Sequence, residues 1–346
     1  MVTLHDIARK TGVSIGTVSN VLNNTGRVGQ DTRIRVLNAV ADLNYVPNKV
    51  AKSLKTSQTN TLGVIAEDIT AFDTPTIIDG INEFCENHNY SLSLYNLRID
   101  SKVHDHFYLL KQYNDILTKN ILALSSACVD GLIYIGIYKR NTELLPLIEE
   151  LHLPVVYVYC YNSDQVPYVT YNDFQGSGRA VQYLIDQNHK KIGLICGPAN
   201  TMITNSQIAG YKKALEQNGL SFCRSYVRFG NLEMESGAYH AKKLLSLPDP
   251  PTAIFTMNDV MAYGVYKYAS QTGRRIPEDL SVIGFGNLSY SNYTVPPLTS
   301  VSVPLHEIGY TAARALVDRQ PGPDGLHYVL DCGLCERASV KALRPL

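Results

Sequence analysis

The 346-residue chain predicts an all-α helix-turn-helix head followed by an α/β body of parallel sheets flanked by helices. Three observations carry that expectation. The first sixty residues show helical periodicity alone, interrupted by a tight glycine turn. From Thr61 onward, short and nearly continuous apolar runs alternate with amphipathic segments, as strands buried on both faces of a parallel sheet require. The charge is also divided. Residues 1–60 hold eight basic side chains against three acidic ones, and the other 286 hold 23 against 28, so zero net charge conceals a head at +5 and a body at −5. A basic head on an acidic body suits a tethered polyanion-binding module.

The same composition excludes several classes. With 45% hydrophobic and 18% charged residues the chain can bury a sizeable core, which argues against disorder. Met1-Val2-Thr3-Leu4-His5-Asp6 has no basic start leading into an apolar run, so no secretory signal is expected. The longest apolar stretches, around Leu132–Tyr138 and Leu153–Tyr161, are far short of a membrane span, and no membrane partner is expected. Seven cysteines, an odd number scattered through strand-like segments such as Lys191–Cys196, read as reduced cytoplasmic thiols.

In the head, Thr3 stands where its hydroxyl can accept from the free amides of a first helix, with Asp6 in the first turn. Leu4, Ile7 and Ala8 share one face, and Gly12 stops the helix after two turns. Ser14 caps a second helix running to about Asn23, with Val18, Val21 and Leu22 inward. A third runs from about Gln30 to Asn44, with Ile34, Leu37, Val40 and Ala41 as its apolar stripe. Three short helices with a tight turn between the first two describe a helix-turn-helix. A generic helical miniature domain has the same periodicity, and the +5 excess favours DNA.

Pro47 to Thr56 follows, with Asn48 as an N-cap and Val50, Ala51 and Leu54 on one side. A helix of about eight residues is marginal alone in water. Taken by itself the segment reads as a solvated interdomain linker, in which Lys49, Lys52 and Lys55 recur every third residue.

In the body, strands are expected at Leu62–Ala66, Leu92–Tyr95, Leu132–Ile137, Val155–Tyr159, Ile192–Cys196, Ala253–Thr256 and Val282–Phe285. Amphipathic helices fit Gly176–Asn188, Ser206–Gln217 and Asp259–Gln271. The length favours two lobes over one sheet. Tyrosine numbers 23 and tryptophan is absent; Tyr134, Tyr138, Tyr157, Tyr159, Tyr161, Tyr290 and Tyr293 fall near strand ends and following loops. They suit a ligand with an apolar face and hydroxyls, such as a glycoside or an aromatic, and equally suit plain packing.

Thr3-Leu4-His5-Asp6-Ile7-Ala8, Gly12-Val13-Ser14, Thr17-Val18-Ser19-Asn20-Val21-Leu22-Asn23, Thr32-Arg33 and Leu43-Asn44-Tyr45-Val46-Pro47-Asn48 closely resemble the headpiece of the lactose-repressor/galactose-repressor family. The resemblance implies that the second helix enters the major groove, with Ile15, Gly16 and Asn20 at the base-reading positions. It also implies a hinge helix that pairs with its copy and wedges Leu54 into the minor groove. Isoleucine offers apolar contact to a thymine methyl, asparagine can pair with adenine, and glycine reads nothing. The family often has arginine where Asn20 stands, so a site not dominated by guanine is expected there. Thr3, Ser14, Thr17, Ser19, Asn23 and Arg27, with Lys49, Lys52 and Lys55, are the phosphate candidates.

The body resembles the family more loosely, through Asn188-His189-Lys190-Lys191-Ile192-Gly193, Ala209-Gly210-Tyr211, Asn258-Asp259, Pro277-Glu278-Asp279-Leu280-Ser281-Val282-Ile283-Gly284-Phe285, Pro297-Leu298-Thr299-Ser300 and Glu336-Arg337-Ala338-Ser339. The resemblance implies the periplasmic-binding-protein fold, with a small effector clamped between two lobes at the strands' carboxyl ends. The implied organisation is a headpiece over 1–47, a hinge over 48–58 and a body over 60–346, with lobe 1 at about 60–164 and 296–323 and lobe 2 at about 165–295 and 324–346. The effector positions map to Phe72, Asp73, Tyr171, Gln207, Leu232, Asn258 and Gly286. Here the chain departs from the family. Gln207 stands for a sugar-gripping arginine, Gly286 and Tyr171 for aspartates, Leu232 for a stacking aromatic, and Ala71-Phe72-Asp73-Thr74 for Asn-Pro-Phe-Phe. A sugar or sugar derivative is expected from the family's habits alone. The family also implies a homodimer on a pseudo-palindromic operator; with no heptad tail, no coiled-coil tetramer is expected. The segment from about Leu97 to Ala127 is longer than the family norm and carries His104, His106, Phe107, Tyr108 and Tyr113. It reads as a cap on the cleft or a private contact surface.

Catalytic, cofactor and metal signatures are missing. Cys332-Gly333-Leu334-Cys335 is a lone CxxC, and His327 upstream makes it no closed zinc site. Gly284-Phe285-Gly286 lacks a dinucleotide fingerprint, and Gly176-Ser177-Gly178 lacks a hydrolase elbow. His104 and His106 read as a solvated loop. A ligand-controlled DNA-binding transcription regulator, acting as a repressor, is the expectation. A solute-binding or sensor protein of the same body fold is the alternative, with a metabolic α/β enzyme behind it.

Overall fold

A computed structural model describes residues 2–45, 59–99, 118–119, 129–137, 153–160, 166–199, 201–318 and 327–344. The chain divides into two compact units, Met1–Thr59 and Asn60–Leu346. Leu54, Lys49, Lys52, Lys55 and the hinge-helix expectation lie outside the described residues, as do His104, His106 and most of the 97–127 segment.

The head consists of α1 (Leu4–Thr11), α2 (Ile15–Leu22) and α3 (Gln30–Asp42). Gly12 ends α1 at φ 67°, a left-handed conformation that glycine adopts without strain. Thr3 and Asp6 form a capping box at the start of α1. Within it the Thr3 amide (2.9 Å) and hydroxyl (2.7 Å) both donate to the Asp6 carboxylate. Those bonds hold Asp6 below the usual carboxylate range. Ile7, Ala8, Val18, Val21, Val36 and Ala39 form a small core, and a Lys10–Asp42 bridge of 2.8 Å ties α1 to α3.

The expected stripe of α3 is corrected. Ile34 and Leu37 are half exposed and Ala41 is exposed, while Val36 and Ala39 are buried and Val40 partly so. Helix α3 carries two apolar rows, 34-37-41 and 36-39-40-43, both at helical spacing. Periodicity alone could not say which row turns inward.

The body contains two six-stranded sheets, with strands numbered in chain order. The first joins β1 (Thr61–Ala66), β2 (Ser91–Asn96), β3 (Gly131–Ile135), β4 (Val155–Val158), β5 (Tyr168–Tyr171) and β11 (His327–Leu330), in the order β11-β5-β4-β3-β1-β2. All its neighbours are parallel. The second joins β6 (Ile192–Cys196), β7 (Val227–Phe229), β8 (Ala253–Thr256), β9 (Ser281–Gly286), β10 (Thr299–Ser302) and β12 (Gly333–Cys335), in the order β12-β10-β9-β8-β6-β7. Here β12 alone runs antiparallel to its neighbour.

On the first sheet α4 (Thr74–Asn87) pairs with α9 (Leu305–Asp318). On the second, α5 (Asp173–Asp186) pairs with α6 (Met202–Gln217), and α7 (Met234–Leu245) with α8 (Asp259–Gln271). Glycines let the α4 and α9 backbones touch. A Cβ on Gly80 would lie 2.0 Å from the His306 carbonyl oxygen, and one on Gly309 would lie 1.9 Å from that of Ile77.

The lobe boundaries expected at about 165, 296 and 324 are also corrected. Strand β5 stays with the first sheet, β10 with the second and β11 with the first, so the chain passes between lobes after Tyr171, after Ser302 and between Leu330 and Gly333. Tyr168–Tyr171 and His327–Leu330 are four-residue strands of mixed polarity, too short to give a clear period-two signal.

Candidate DNA-reading surface and ligand cleft

Helix α2 begins on Ser14, whose hydroxyl accepts from the Thr17 amide at 3.1 Å and lies 2.9 Å from the Thr17 hydroxyl. This cap presents the first turn outward. Ile15 is 37% exposed, an unusual position for isoleucine, and Gly16 and Asn20 are exposed. A Cβ on Gly16 would meet nothing nearer than the Ser14 hydroxyl at 3.7 Å, so packing does not impose glycine there. Asn20 receives one long bond, 3.4 Å, from the Thr25 hydroxyl.

The phosphate candidates divide in two. Thr3 is occupied by Asp6, and Asn23 donates to the Ser19 carbonyl (2.9 Å) and hydroxyl (3.3 Å). Ser14, Thr17 and Arg27 are exposed or partly so on the helix and the turn after it. Arg33, absent from the candidates, donates to the Asn24 side chain at 2.6 Å and braces that turn.

In the body, all seven mapped effector positions lie at carboxyl ends of strands, in the loops that follow, or, for Gln207, in the second turn of α6. Asp73 occupies the N-cap position of α4, yet its carboxylate makes no cap. It faces Tyr159, just beyond β4, instead. Burial pushes the Asp73 carboxyl up to about 6, against a partial pull down from the Tyr159 hydroxyl, and the Asp259 charge adds to the rise.

Tyr159 is buried, with backbone φ at 66°. Its hydroxyl faces the Asp73 carboxylate without reaching hydrogen-bond geometry, and it has no other hydrogen-bond partner among the described residues. Burial, then Asp73, Tyr171 and Asp173, push that phenol well above its ordinary value. The Tyr159 and Tyr171 rings meet edge to face at 5.4 Å, and Tyr171 meets Phe285 of the other lobe at 5.9 Å. Tyr171 is pushed up by burial, then by Asp173 and Asp73.

The remaining positions have different fates. Gln207 is 1% exposed, and among the described residues its side-chain oxygen has no hydrogen-bond partner. Asn258 is occupied at both ends, accepting from Met261 N at 2.8 Å and donating to the Leu232 carbonyl at 2.9 Å. Leu232 sits at φ 74° and Gly286 at φ 119°. Phe72, beside Asp73 in the chain, is 60% exposed. Asp259 is buried and accepts from Leu288 N (2.7 Å), Ser291 (2.6 Å) and Ser300 (2.6 Å), so it is a bracing group rather than an open one.

The structure thus gathers Asp73 and Tyr171 with two residues outside the mapped set, Tyr159 and Asp173, and joins Leu232 to Asn258 as a separate brace. Tyr159 was legible as a strand-end tyrosine. Asp173 follows β5, which the sequence did not signal. Two open hollows, of about 420 Å³ on the head and about 610 Å³ between α5 and α6, are lined by none of these residues. Among the described residues no group of three His, Cys, Asp or Glu is arranged for a metal, and no helix is long and apolar enough to cross a membrane.

Comparison with known proteins finds two family matches. Residues 3–48 match the model for bacterial regulatory proteins of the lacI family, and residues 181–340 match a periplasmic binding protein-like domain. The HTH-type transcriptional repressor PurR of Photobacterium profundum is 35% identical, over 92% of each chain. The HTH-type transcriptional repressor CytR of Escherichia coli (strain K12) is 33% identical, over 99% of this chain and 97% of that one. Among solved structures, the lac repressor dimer bound to operator and the anti-inducer ONPF is 26% identical with a TM-score of 0.78, covering 99% of both chains. A complex of the transcriptional regulator CelR with cellobiose is 27% identical with a TM-score of 0.66, covering 98% of this chain and 100% of that one.

Proposed function

The chain belongs to the lacI family of bacterial regulatory proteins, and from that premise we propose that it represses transcription by binding an operator as a homodimer, under control of a small effector held between the lobes of its body. One observation carries the reading: outward side chains read in the head, and inward ones wait in the body. Helix α2 exposes Ile15 and Asn20 on a basic unit, while at strand ends Tyr159 and Gln207 are buried without full hydrogen bonding and Asp73 is half-buried without a cap to make.

In this reading Ile15 contacts a thymine methyl, Asn20 pairs with adenine, and Gly16 reads nothing. Thr3, Ser14, Thr17, Ser19, Asn23 and Arg27 set register on phosphates, the hydroxyls of Ser14, Thr17 and Ser19 doing so alongside the bonds they make within the head. Leu54 wedges the minor groove, and Lys49, Lys52 and Lys55 meet the flanking phosphates. Two-fold symmetry makes the operator pseudo-palindromic. The body senses the effector through Asp73, Tyr171 and Gln207, with Phe72 and Gly286 at the margin and Leu232 and Asn258 shaping the wall. A sugar or sugar derivative is the effector class drawn from the family, and the CelR complex with cellobiose supports it. Effector binding biases lobe closure, and through it the pairing of the hinges, by its differential affinity for the two states. The DNA target and the reduced thiols fit action in the cytoplasm.

Selection of sites from random DNA with the full chain, followed by binding with residues 1–60 deleted, tests the proposal. The full chain is expected to select a two-fold site, and the deletion to abolish binding. An unselective pool, or undiminished binding by the truncated chain, would reject it.

A further inference from the structure

Among the described residues, the groups acting on Asp73 and its two tyrosines are acceptors, phenols and a thiol, and the basic Arg337 acts on Asp259 instead. The charges acting on Asp73, Tyr159 and Tyr171 come from Asp73, Asp173 and Asp259, together with the Tyr171 and Cys332 side chains, and no lysine, arginine or histidine is among them. Where the family carries arginine, Gln207 places an amide oxygen, itself an acceptor, 1% exposed and without a partner among the described residues. The Tyr159 hydroxyl, on a residue 5% exposed, faces Asp73, and among the described residues its own hydrogen bond is unmade. A partly buried carboxylate with no cation beside it among the described residues is costly, and so is an orphaned buried oxygen. Aromatic rings line the same place, with Tyr159, Tyr171 and Phe285 in successive contact. A carboxylate beside aromatic rings attracts a cation through charge and ring quadrupole together.

We propose that the effector carries a protonated amino group, seated at the Asp73 carboxylate beside the Tyr159–Tyr171 pair. The ammonium donates to Asp73 and to the Tyr159 oxygen beside it. A neutral polyol satisfies the oxygens but leaves the charge uncompensated. This rests on reading the cleft as the effector site, and it sharpens that reading from a sugar to an amine-bearing ligand, with an amino sugar or an aliphatic amine as the two sources.

The groups facing Asp73 define the expected pH dependence: Tyr159 after β4, Tyr171 at the end of β5, Asp173 opening α5 and Asp259 opening α8. With its carboxyl near 6, Asp73 is ionised at pH 7.5 and about nine-tenths protonated at pH 5. Amine affinity is therefore lost as pH falls through about 6.

Titration of the full chain with D-glucosamine, D-galactosamine, putrescine and methylammonium chloride, each against its hydroxyl counterpart or sodium chloride at matched ionic strength, tests this by calorimetry and thermal midpoint. At pH 7.5 at least one amine is expected to bind about tenfold or more tightly than its counterpart. That preference falls about tenfold at pH 5 and disappears in Asp73→Asn. The pH arm uses the unaltered protein, so a variant that folds poorly does not remove the test. A neutral counterpart binding as tightly, a preference that survives Asp73→Asn, or the absence of any shift with every amine would overturn the proposal. A neutral sugar that releases operator would overturn the amine and keep the effector reading. An amine that binds tightly and leaves operator affinity unchanged would support the amine site and remove the effector reading.

Discussion

The head and the body of this chain handle polar groups in opposite ways. In the head, a small apolar core of Ile7, Ala8, Val18, Val21, Val36 and Ala39 holds a helix whose functional side chains point to solvent, and its charges sit in water. In the body, strand ends above two sheet cores enclose Tyr159 and Gln207 and half-bury Asp73, and among the described residues the Tyr159 and Gln207 oxygens are left with hydrogen bonds unmade. The first arrangement suits a partner that arrives as an extended surface, such as a duplex. The second suits a partner small enough to be swallowed. The +5 and −5 divided between these regions follow the same logic, since the acidic body gains nothing by approaching phosphates.

Substitutions that perturb one region and spare the other test this division. The largest effect is expected at Gly80 on α4. A leucine there would overlap the backbone of α9 at 2.0 Å, and about 3 kcal/mol or more of body stability should be lost. Calorimetry should show the body transition fall while the head still gives its helical circular dichroism signal.

A loss on the order of 3 kcal/mol is expected from acid alone. His189 is buried between the Thr252 hydroxyl (2.9 Å) and the Lys341 carbonyl (3.1 Å), and burial pushes it down to about 4. The unfolded chain binds this proton from about pH 6.5 downward and the folded body does not, so stability is full above 6.5 and is lost as pH falls toward 4. The described head contains no comparable group, and its unfolding should be nearly flat over the same range.

Leu54→Ala comes next, weakening operator binding by about 2–3 kcal/mol while effector binding to the body is unchanged. Unchanged operator affinity in a gel-shift titration would remove the wedge. A smaller effect is expected from Asp73→Asn. A carboxyl raised to about 6 favours the folded state below about 3.8 and loses that advantage as pH rises through 6. The asparagine variant, measured without ligand, should therefore melt a few degrees higher than the parent at pH 7.5 and no higher at pH 4. Gly16→Ala is the smallest, a gain of about 1 kcal/mol in head stability, because the added methyl meets only the Ser14 hydroxyl at an ordinary 3.7 Å and helix propensity improves.

How far the sequence carried depends on whether a signal was local. Helix α8 was legible at Asp259–Gln271 because Asn258 caps it and an apolar pattern follows directly. The head's capping and turn chemistry at Ser14 and Gly12 was equally readable. Strands β5 and β11 were not, since four-residue strands of mixed polarity carry little period-two signal. Without them the crossings between lobes were displaced. The mapped effector positions were drawn from resemblance, and they pointed to Asp73 and Tyr171 without revealing that Tyr159 and Asp173 complete the cluster. That grouping depends on where β4, β5 and α5 meet in space, which no stretch of sequence records. Asn258 illustrates the converse: a polar residue at a mapped position turned out to be held by Met261 and Leu232.

The most direct test of the division is a cross of two substitutions, Asn20→Ala in the head and Asp73→Asn in the body. Operator affinity would be read by fluorescence anisotropy and ligand affinity by calorimetry on the same samples. Asn20→Ala is expected to weaken operator binding and leave ligand affinity as it was. Asp73→Asn should leave ligand-free operator affinity intact and abolish the response to ligand. If Asp73→Asn weakened ligand-free operator binding as much as Asn20→Ala, or kept a full response to ligand, the two regions would not divide the work in this way.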